Sequence, residues 1–390
     1  MQIRRITMNR TNDTLLPGIS EMLSDEGGQG LSKVLEVLLN QVMIFEREKH
    51  LKAASYERTK LREGYANGFK DKQLKTRVGE LSLSIPQTRD SDFYPSCLEK
   101  GLRCERALKL ALAEMYVQGV STRKVAKITE ELCGLEISSQ QVSRAAELLD
   151  KELEIWRSRP LGAYPYLILD ARYEKIRHGG SVVDCAVLVA IAVHTDGKRH
   201  VLGCSVSLSE AEVHWRDFLK SLVARGLHGI QLITSDAHAG LGAARKAVFP
   251  GIPWQRCQFH LQQNAQQYVP KKSMKEEVAE DVREIFNAKN LKTANELLKK
   301  FVSFYEEKAP DLAQWAESNI PESLTVMSLP KAHQRRLRTS NSLERINREI
   351  LRRTRVATLF PNSKSCLRLV SAILAEIDQD WQTGKIYLNM

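Results

Sequence analysis

Residues 159–175 read RPLGAYPYLILDARYEK, and this stretch decides the fold class. Its centre, Tyr164–Leu169, carries no charge, and the run ends on Asp170. Apolar character that continuous describes a strand covered on both faces, not one with a wet side. Two more strand-like runs follow, SVVDCAVLVAIAV over 181–193 and HVLGCSVSLS over 200–209. Then come a helical pattern, AEVHWRDFLKSLVARG (211–226), a fourth strand, IQLITSD (230–236), and a short helix, AGLGAARKAV (239–248). A last apolar and aromatic segment, IPWQRCQFH (252–260), completes the series. Three strands, helix, strand, helix, strand predicts a mixed α/β sheet, with hairpins first and crossovers later.

Upstream, the pattern changes. Residues 20–60 read as helical, because Leu31, Val34, Leu35, Leu38, Val42 and Phe45 keep three- and four-residue spacing before a polar stretch. That apolar side is either a core face or a contact surface. In residues 64–90, Gly64, Asn67, Gly68 and Gly79 punctuate the chain, and Val78, Leu81, Leu83 and Ile85 give strand-like spacing around a turn. Residues 100–155 return to helices; two open on Ser or Thr as caps, and Gly119 and Gly134 close the helices before them. Within them, VSTRKVAKI and SSQQVSRAA have the outline of a helix-turn-helix, an outline that a plain helical bundle shares. Residues 271–320 are helical and rich in Lys, Glu and Ala. Over 331–355, nine Lys and Arg face two Glu, the most basic stretch of the chain.

The whole chain has 390 residues, 58 Lys and Arg against 47 Asp and Glu, a net charge of +11 and a pI near 9.2. Such a length suggests two or three units, and 43% hydrophobic content excludes disorder over most of it. No apolar run is long enough to span a bilayer. The N-terminal residues lack a signal peptide's apolar core, so cytosolic residence is expected. Cys97, Cys104, Cys133, Cys185, Cys204, Cys257 and Cys366 form no CxxC pair, which reads as reduced thiols. The positive excess favours a polyanionic partner.

Three carboxylates bear on function. Asp170 at the end of a covered strand is costly as a bare charge, so it either caps the next turn or is paired or metal-bound. Asp236 ends the fourth strand, where it either caps the following helix or acts in a site. Two aspartates at neighbouring strand ends can meet at one cation, and oxygen ligands of this kind suit Mg²⁺ or Mn²⁺. Glu344 opens a helix with Ser340 and Asn341 as cap and Leu343, Ile346 and Ile350 facing inward. Glu344, Arg348 and Arg352 then follow at four-residue steps. They form either an ordinary pair worth about 0.3–0.5 kcal/mol or a third ligand beside a phosphate-gripping arginine ladder.

DARYEKIRHGG from 170, SDAHAGL from 235, WQRCQFHLQQN from 254 and NSLERINREILRRTR from 341 resemble the bacterial insertion-sequence branch of the Mutator transposase family. GYANGFKDKQLKTRVGELSLSIP from 64 and MYVQGVSTRKVAKI from 115 match the same family's N-terminal signatures. The resemblance covers roughly residues 60 to 365, in order and spacing. It implies a ribonuclease H-like, retroviral-integrase-like catalytic domain whose DDE triad falls on Asp170, Asp236 and Glu344. It also implies a helical insertion, here about 265–335, agreeing with the helical reading of that stretch. The expected organisation is a helical region over 1–60, a hairpin and helix-turn-helix-like region over 61–158, the core's first part over 159–264, the insertion, and the core's C-terminal helices over 336–390.

The chemistry expected of that triad is two-metal phosphoryl transfer with Mg²⁺, Mn²⁺ substituting, acting on terminal inverted repeats and target DNA. Pairing two element ends calls for a homodimer or higher oligomer on DNA, with no membrane partner; the setting is the bacterial cytoplasm, at the nucleoid. Cys257 and His260 form a CxxH pair read as support for the site, or as half of a zinc site with no second half nearby. His238 either orients a carboxylate or phosphate or is a plain surface histidine. Arg123, Lys124, Gln141 and Arg144 are the expected helix-turn-helix contacts, and Arg345, Arg348, Arg352 and Arg353 the expected phosphate contacts. Trp315 either stacks on a base or packs in the insertion. A catalytically silent, domesticated DNA-binding protein of the same fold is the alternative, and a ribonuclease H-like nuclease a third reading.

Overall fold

The computed structural model describes residues 15–26, 30–89, 92–355 and 359–390. It divides into two compact units, one reaching Leu148 and one from Leu149 to Met390. Among the described residues, all seven cysteines are free thiols, and no helix is long and apolar enough to cross a membrane.

The first unit contains α1 (Leu15–Glu26), α2 (Gly30–Leu51), β1 (Tyr65–Thr76), β2 (Gly79–Arg89), α3 (Arg106–Val117), α4 (Thr122–Cys133) and α5 (Ser139–Ala146). β1 and β2 form an antiparallel hairpin closing at Thr76↔Gly79, so Val78 lies in the turn and not in the strand pattern. Leu81, Leu83 and Ile85 pack with Met43 against α2. The sequence reading of α2 needs one correction, its length. The helix stops at Leu51, where the Glu63 amide takes the Leu51 carbonyl and Lys52 (φ +50°) turns the chain away. The buried line is Val34, Met43, Arg47 and Leu51. Leu31, Leu38, Val42 and Phe45 are exposed.

α3, α4 and α5 share a core of Leu108, Leu112, Val125, Leu135, Ile137, Val142 and Ala145. Ser121 caps α4 by accepting from the Lys124 amide, and Gly134 closes α4 at φ +62°. Ser138 and Gln141 form a reciprocal capping box on α5, which satisfies two of the helix's orphan donors.

The second unit begins with α6 (Asp150–Ser158). The expected boundary at 158/159 is thus displaced. Asp150 pairs with Arg368 at 2.6 and 2.8 Å, and the Trp156 indole donates to Asp378 at 3.2 Å, so α6 belongs with the residues that follow it. Next come β3 (Tyr166–His178), β4 (Ser181–Val193), β5 (Arg199–Ser207), α7 (Glu212–Ala224), β6 (Leu232–Ser235), α8 (Ala239–Val248) and β7 (Trp254–Arg256). After them lie α9 (Gln258–Ala265), α10 (Lys275–Phe286), α11 (Leu291–Tyr305), α12 (Pro310–Asn319), α13 (Lys331–Leu337), α14 (Asn341–Thr354) and α15 (Ser363–Thr383).

Among the described residues, this unit's sheet has five strands in the order β5-β4-β3-β6-β7. β3/β4 and β4/β5 are antiparallel, while β3/β6 and β6/β7 are parallel, as hairpins followed by crossovers require. Leu167 and Leu169 face a core shared with Trp215, Phe218 and Leu219 of α7 and Leu241 and Ala244 of α8. The other face of β3 meets α14: Asp170 and Arg172 bond Asn347, and Glu174 accepts from the Thr354 hydroxyl. Coverage on both sides explains the unbroken apolar run in β3. Helices α9–α12 build their own core around Leu261, Val278, Val282, Leu298, Phe301 and Leu312.

Candidate active site

Asp170 is not at a strand end. It is the fifth residue of β3, which continues to His178 paired with β4. Its special position comes from the other neighbour. β6 pairs with β3 at Tyr166↔Leu232, Leu167↔Ile233 and Ile168↔Thr234, then parts from β3 while Ser235 still pairs with Arg256 of β7. Asp170 and Asp236 therefore stand two residues beyond the last parallel pair, at corresponding steps of adjacent strands. Equal steps in a parallel ladder put side chains on one face.

Neither aspartate serves as the local cap that its position allows. The N-cap of α8 is His238, with no side-chain bond, and Asp236 Oδ1 accepts the amide of Ala237 at 2.7 Å. Asp170 Oδ1 accepts its neighbour Ala171 N–H at 3.0 Å, and Oδ2 accepts the Asn347 amide at 2.9 Å.

Glu344 lies in the first turn of α14, and its Oε1 is buried with no hydrogen-bond donor among the described residues. Asn347, three residues on, shares its helix face. The same segment is bound to the sheet before the helix begins. Thr234 donates to the Leu337 carbonyl at 2.9 Å, Gln258 N–H to Arg338 at 3.0 Å, and the amide and hydroxyl of Ser340 both donate to Cys257 Sγ at 3.3 Å. Cys257 follows β7, and its amide bonds the Ser235 carbonyl at 2.8 Å, one residue before Asp236. The three carboxylates are spread more widely than a single compact ligand set. Among the described residues, only a different cluster brings three such ligand atoms within 4.8 Å.

The electrostatics follow from burial. Burial pushes the Asp170 carboxyl up to about 6; His260 and the Ala171 amide pull against it, and Asp236 and Glu210 add to it. The hydrogen bond with Cys257 raises His260 to about 9 against the effect of burial, with further help from the charges of Cys257, Asp236 and Asp170. Burial disfavours the Cys257 thiolate, but His260 and Ser340 outweigh it and lower the thiol below its ordinary value. At neutral pH the imidazolium therefore stands as a cation among carboxylates, which eases their mutual repulsion.

Two neighbours were missed in the sequence. Asn347 was within reach of helical spacing from Glu344, but an Asn carries no charge to draw notice. Glu210 sits in an irregular loop. Its carboxylate is 3.7 Å from His238 Nδ1 and acts electrostatically on Asp170 and Tyr173. Gly240 holds that loop against α8: a Cβ there would lie 2.2 Å from the Glu210 carbonyl.

The expected DNA-contacting residues divide. Arg123, Lys124 and Arg144 are exposed, as are Arg345, Arg348 and Arg352. Gln141 is exposed, but its Oε1 accepts the Ser138 amide at 2.9 Å in the capping box. Arg353 is only 6% exposed and is held by Glu349 and Glu376 at 2.6–3.2 Å, so it joins α14 to α15 and has no free face. Arg352 also pairs with Glu349, at 2.7 Å. His238 is on the surface. Trp315 is half-buried against the α9–α12 core and stacks on Tyr268 with ring centroids 5.3 Å apart.

The sequence profile described as Transposase, Mutator family matches residues 10–384. The chain is 58% identical over 369 residues to a transposase for insertion sequence element IS406 from Burkholderia multivorans, covering 94% of this chain and 95% of the relative. It is 42% identical to a transposase for element ISRM5 from Rhizobium meliloti, covering 93% and 91%. It is 36% identical to a transposase for element IS256 in transposon Tn4001 from Staphylococcus aureus, covering 91% and 92%.

Proposed function

The chain belongs to the Mutator family of transposases, and we propose that it binds the terminal inverted repeats of its element, cleaves the ends and joins them to target DNA with Asp170, Asp236 and Glu344 as the reacting centre. The observation that carries this reading is the matching step of Asp170 and Asp236 beyond the β3/β6 ladder, with the Glu344 helix bonded to Asp170 through Asn347. The strand order, with its second strand antiparallel and parallel crossovers after it, supports a ribonuclease H-like core.

The residues fit divalent cations. The donors are carboxylate oxygens, Glu344 Oε1 is buried with no donor among the described residues, and burial lifts Asp170 even against the pull of His260. Bound there, Mg²⁺ or Mn²⁺ supplies activation of an attacking oxygen and neutralisation of the leaving one.

Within that frame each side chain has a task. Asp170, Asp236 and Glu344 would hold the cations; Asn347 fixes the carboxylate rotation of Asp170. The Ser340–Cys257–His260 group locks the start of α14 to the ends of β6 and β7 and supplies positive charge. Arg345 and Arg348, exposed on the helix that carries Glu344, contact phosphates without reading sequence. Arg123, Lys124 and Arg144 give the α4–α5 pair a basic surface for the inverted repeat. No side chain is required to form a covalent bond to DNA.

The test is a labelled duplex carrying the element's end, incubated with wild-type protein or Asp236→Asn in Mg²⁺. Cleavage by wild type alone supports the reading. Tight end binding without cleavage by either protein would favour the catalytically silent DNA-binding alternative, and cleavage of any duplex without joining would favour a nuclease.

A further inference from the structure

We propose that His194, Asp196 and His200, at the tip of the β4–β5 hairpin, bind one transition-metal cation of the Zn²⁺ class, at a site separate from the carboxylates above. One ligand atom from each lies within 4.8 Å of the other two, and among the described residues this is the set of three that meets that condition.

The turn makes the cluster. The last pair of the hairpin is Val193↔Arg199, and His194 N–H closes the connection on the Lys198 carbonyl at 2.8 Å. Gly197 takes φ +79°, which an L side chain resists. Asp196 Oδ1 accepts the Lys198 amide at 2.8 Å, and this Asx turn leaves its carboxylate 3.1 Å from His194 Nδ1.

His200, the second residue of β5, completes the set. Its Nε2 is buried and has no hydrogen-bond partner among the described residues. Its Nδ1 lies 3.8 Å from Asp378 Oδ1. That carboxylate is itself fixed by the Val201 amide, the Trp156 indole, Arg159 and Gln382 at 2.8–3.2 Å. At that distance the carboxylate acts on the ring by its charge and not by a hydrogen bond, and the unpaired Nε2 is the nitrogen left for a metal. The Tyr164 ring meets both imidazoles edge-on, with centroids 5.2 and 5.6 Å away, and restricts their rotation.

Two imidazoles and one carboxylate suit Zn²⁺ with a fourth position for water, whereas Mg²⁺ prefers all-oxygen surroundings. Tyr387 and Leu388 amides both donate to the Gly197 carbonyl, at 2.9 and 3.0 Å, and Arg199 lies 3.9 Å from the Trp381 ring centroid and 4.4 Å from that of Tyr387. A cation joining the turn to β5 would fix the seat on which the C-terminal segment rests.

The experiment titrates Zn²⁺ into the full chain, stripped with chelator and held in excess Mg²⁺, by calorimetry and by melting temperature. Wild type should take up one Zn²⁺ per chain and melt higher with it. Asp196→Asn keeps the acceptor for the Lys198 amide but loses the charge, and His194→Gln changes a half-exposed ring; each should weaken Zn²⁺ binding by at least about tenfold. Asp236→Asn and Glu344→Gln should bind Zn²⁺ as wild type does. The proposal is overturned by no uptake in wild type, by unchanged uptake in both hairpin variants, or by uptake lost in Asp236→Asn.

Discussion

Asn347 donates its side-chain N–H to Asp170 Oδ2 at 2.9 Å, bridging the helix that carries Glu344 to the central strand. The bond ties the orientation of one carboxylate to the placement of another. Asn347→Ala frees Asp170 to rotate and should lower end joining in Mg²⁺ by roughly 10–100-fold, the range seen when a group behind a metal ligand is removed. End binding, read by gel shift, should be unchanged. An undiminished joining rate would remove Asn347 from the account.

Asp170 also makes a stability prediction. Its carboxyl titrates near 6 in the folded chain instead of 3.8, because burial disfavours the charge. The folded state thus holds the proton more tightly than the unfolded one, so stability falls as pH rises between those values and the loss is complete above the higher one. In chelated protein at neutral pH, Asp170→Asn should raise the melting temperature, with a ceiling of about 3 kcal/mol for two pKa units. Below roughly pH 4 the gain should vanish. A variant that melts lower than wild type at neutral pH contradicts this.

Arg353 and Arg348 should separate stability from DNA affinity. Arg353 is buried between Glu349 and Glu376, and Arg353→Ala should cost about 1–3 kcal/mol in urea unfolding. Arg348 is exposed, and Arg348→Ala should leave unfolding alone while reducing the slope of log affinity against log salt by about 1. Equal unfolding midpoints for the two variants would sink the distinction.

Acid should act on the same contact. The Arg352 hydrogen bond, with Arg353 adding to it, outweighs burial and holds the Glu349 carboxyl down at about 2. A depressed carboxyl contributes stability above its ordinary value of 4.5 and loses it as pH falls toward 2. Wild type should therefore lose more stability than Glu349→Gln across that window; parallel melting curves would contradict the assignment.

Gly240 lets the Glu210 loop approach α8, and Gly240→Ala would set a Cβ 2.2 Å from the Glu210 carbonyl and 2.9 Å from the Glu212 amide. Backbone must shift, at a cost of roughly 1–3 kcal/mol, and the shift falls between Glu210 and the residues following Asp236. Thermal melting and cleavage rate should both decline. A neutral substitution would show that the two loops are free to separate.

The strand and helix order of the sheet was legible because β3, β4 and β6 are covered on both faces and show as unbroken apolar runs. The matching of Asp170 with Asp236 followed from that order, but the continuation of β3 past Asp170 did not. The residues after it, ARYEKIR, pair with β4 yet face polar groups of α14, which erases the apolar signal. α2 was misread in length, and its apolar side was left open between core face and contact surface because its periodicity fits more than one stripe; packing against the hairpin selects Val34, Met43 and Arg47 for burial. Arg353 looked like its neighbours on the basic helix, since its partner Glu376 lies on the next helix, beyond any spacing argument. The Cys257–Ser340 contact joins residues 83 apart and has no local signature.

The most direct measurement is joining of a pre-cleaved element end to a target plasmid in Mg²⁺, comparing wild type with Glu344→Gln under single-turnover conditions. The account predicts joined product from wild type, none from the variant, and equal end binding by both. Joined product from Glu344→Gln at the wild-type rate would contradict it.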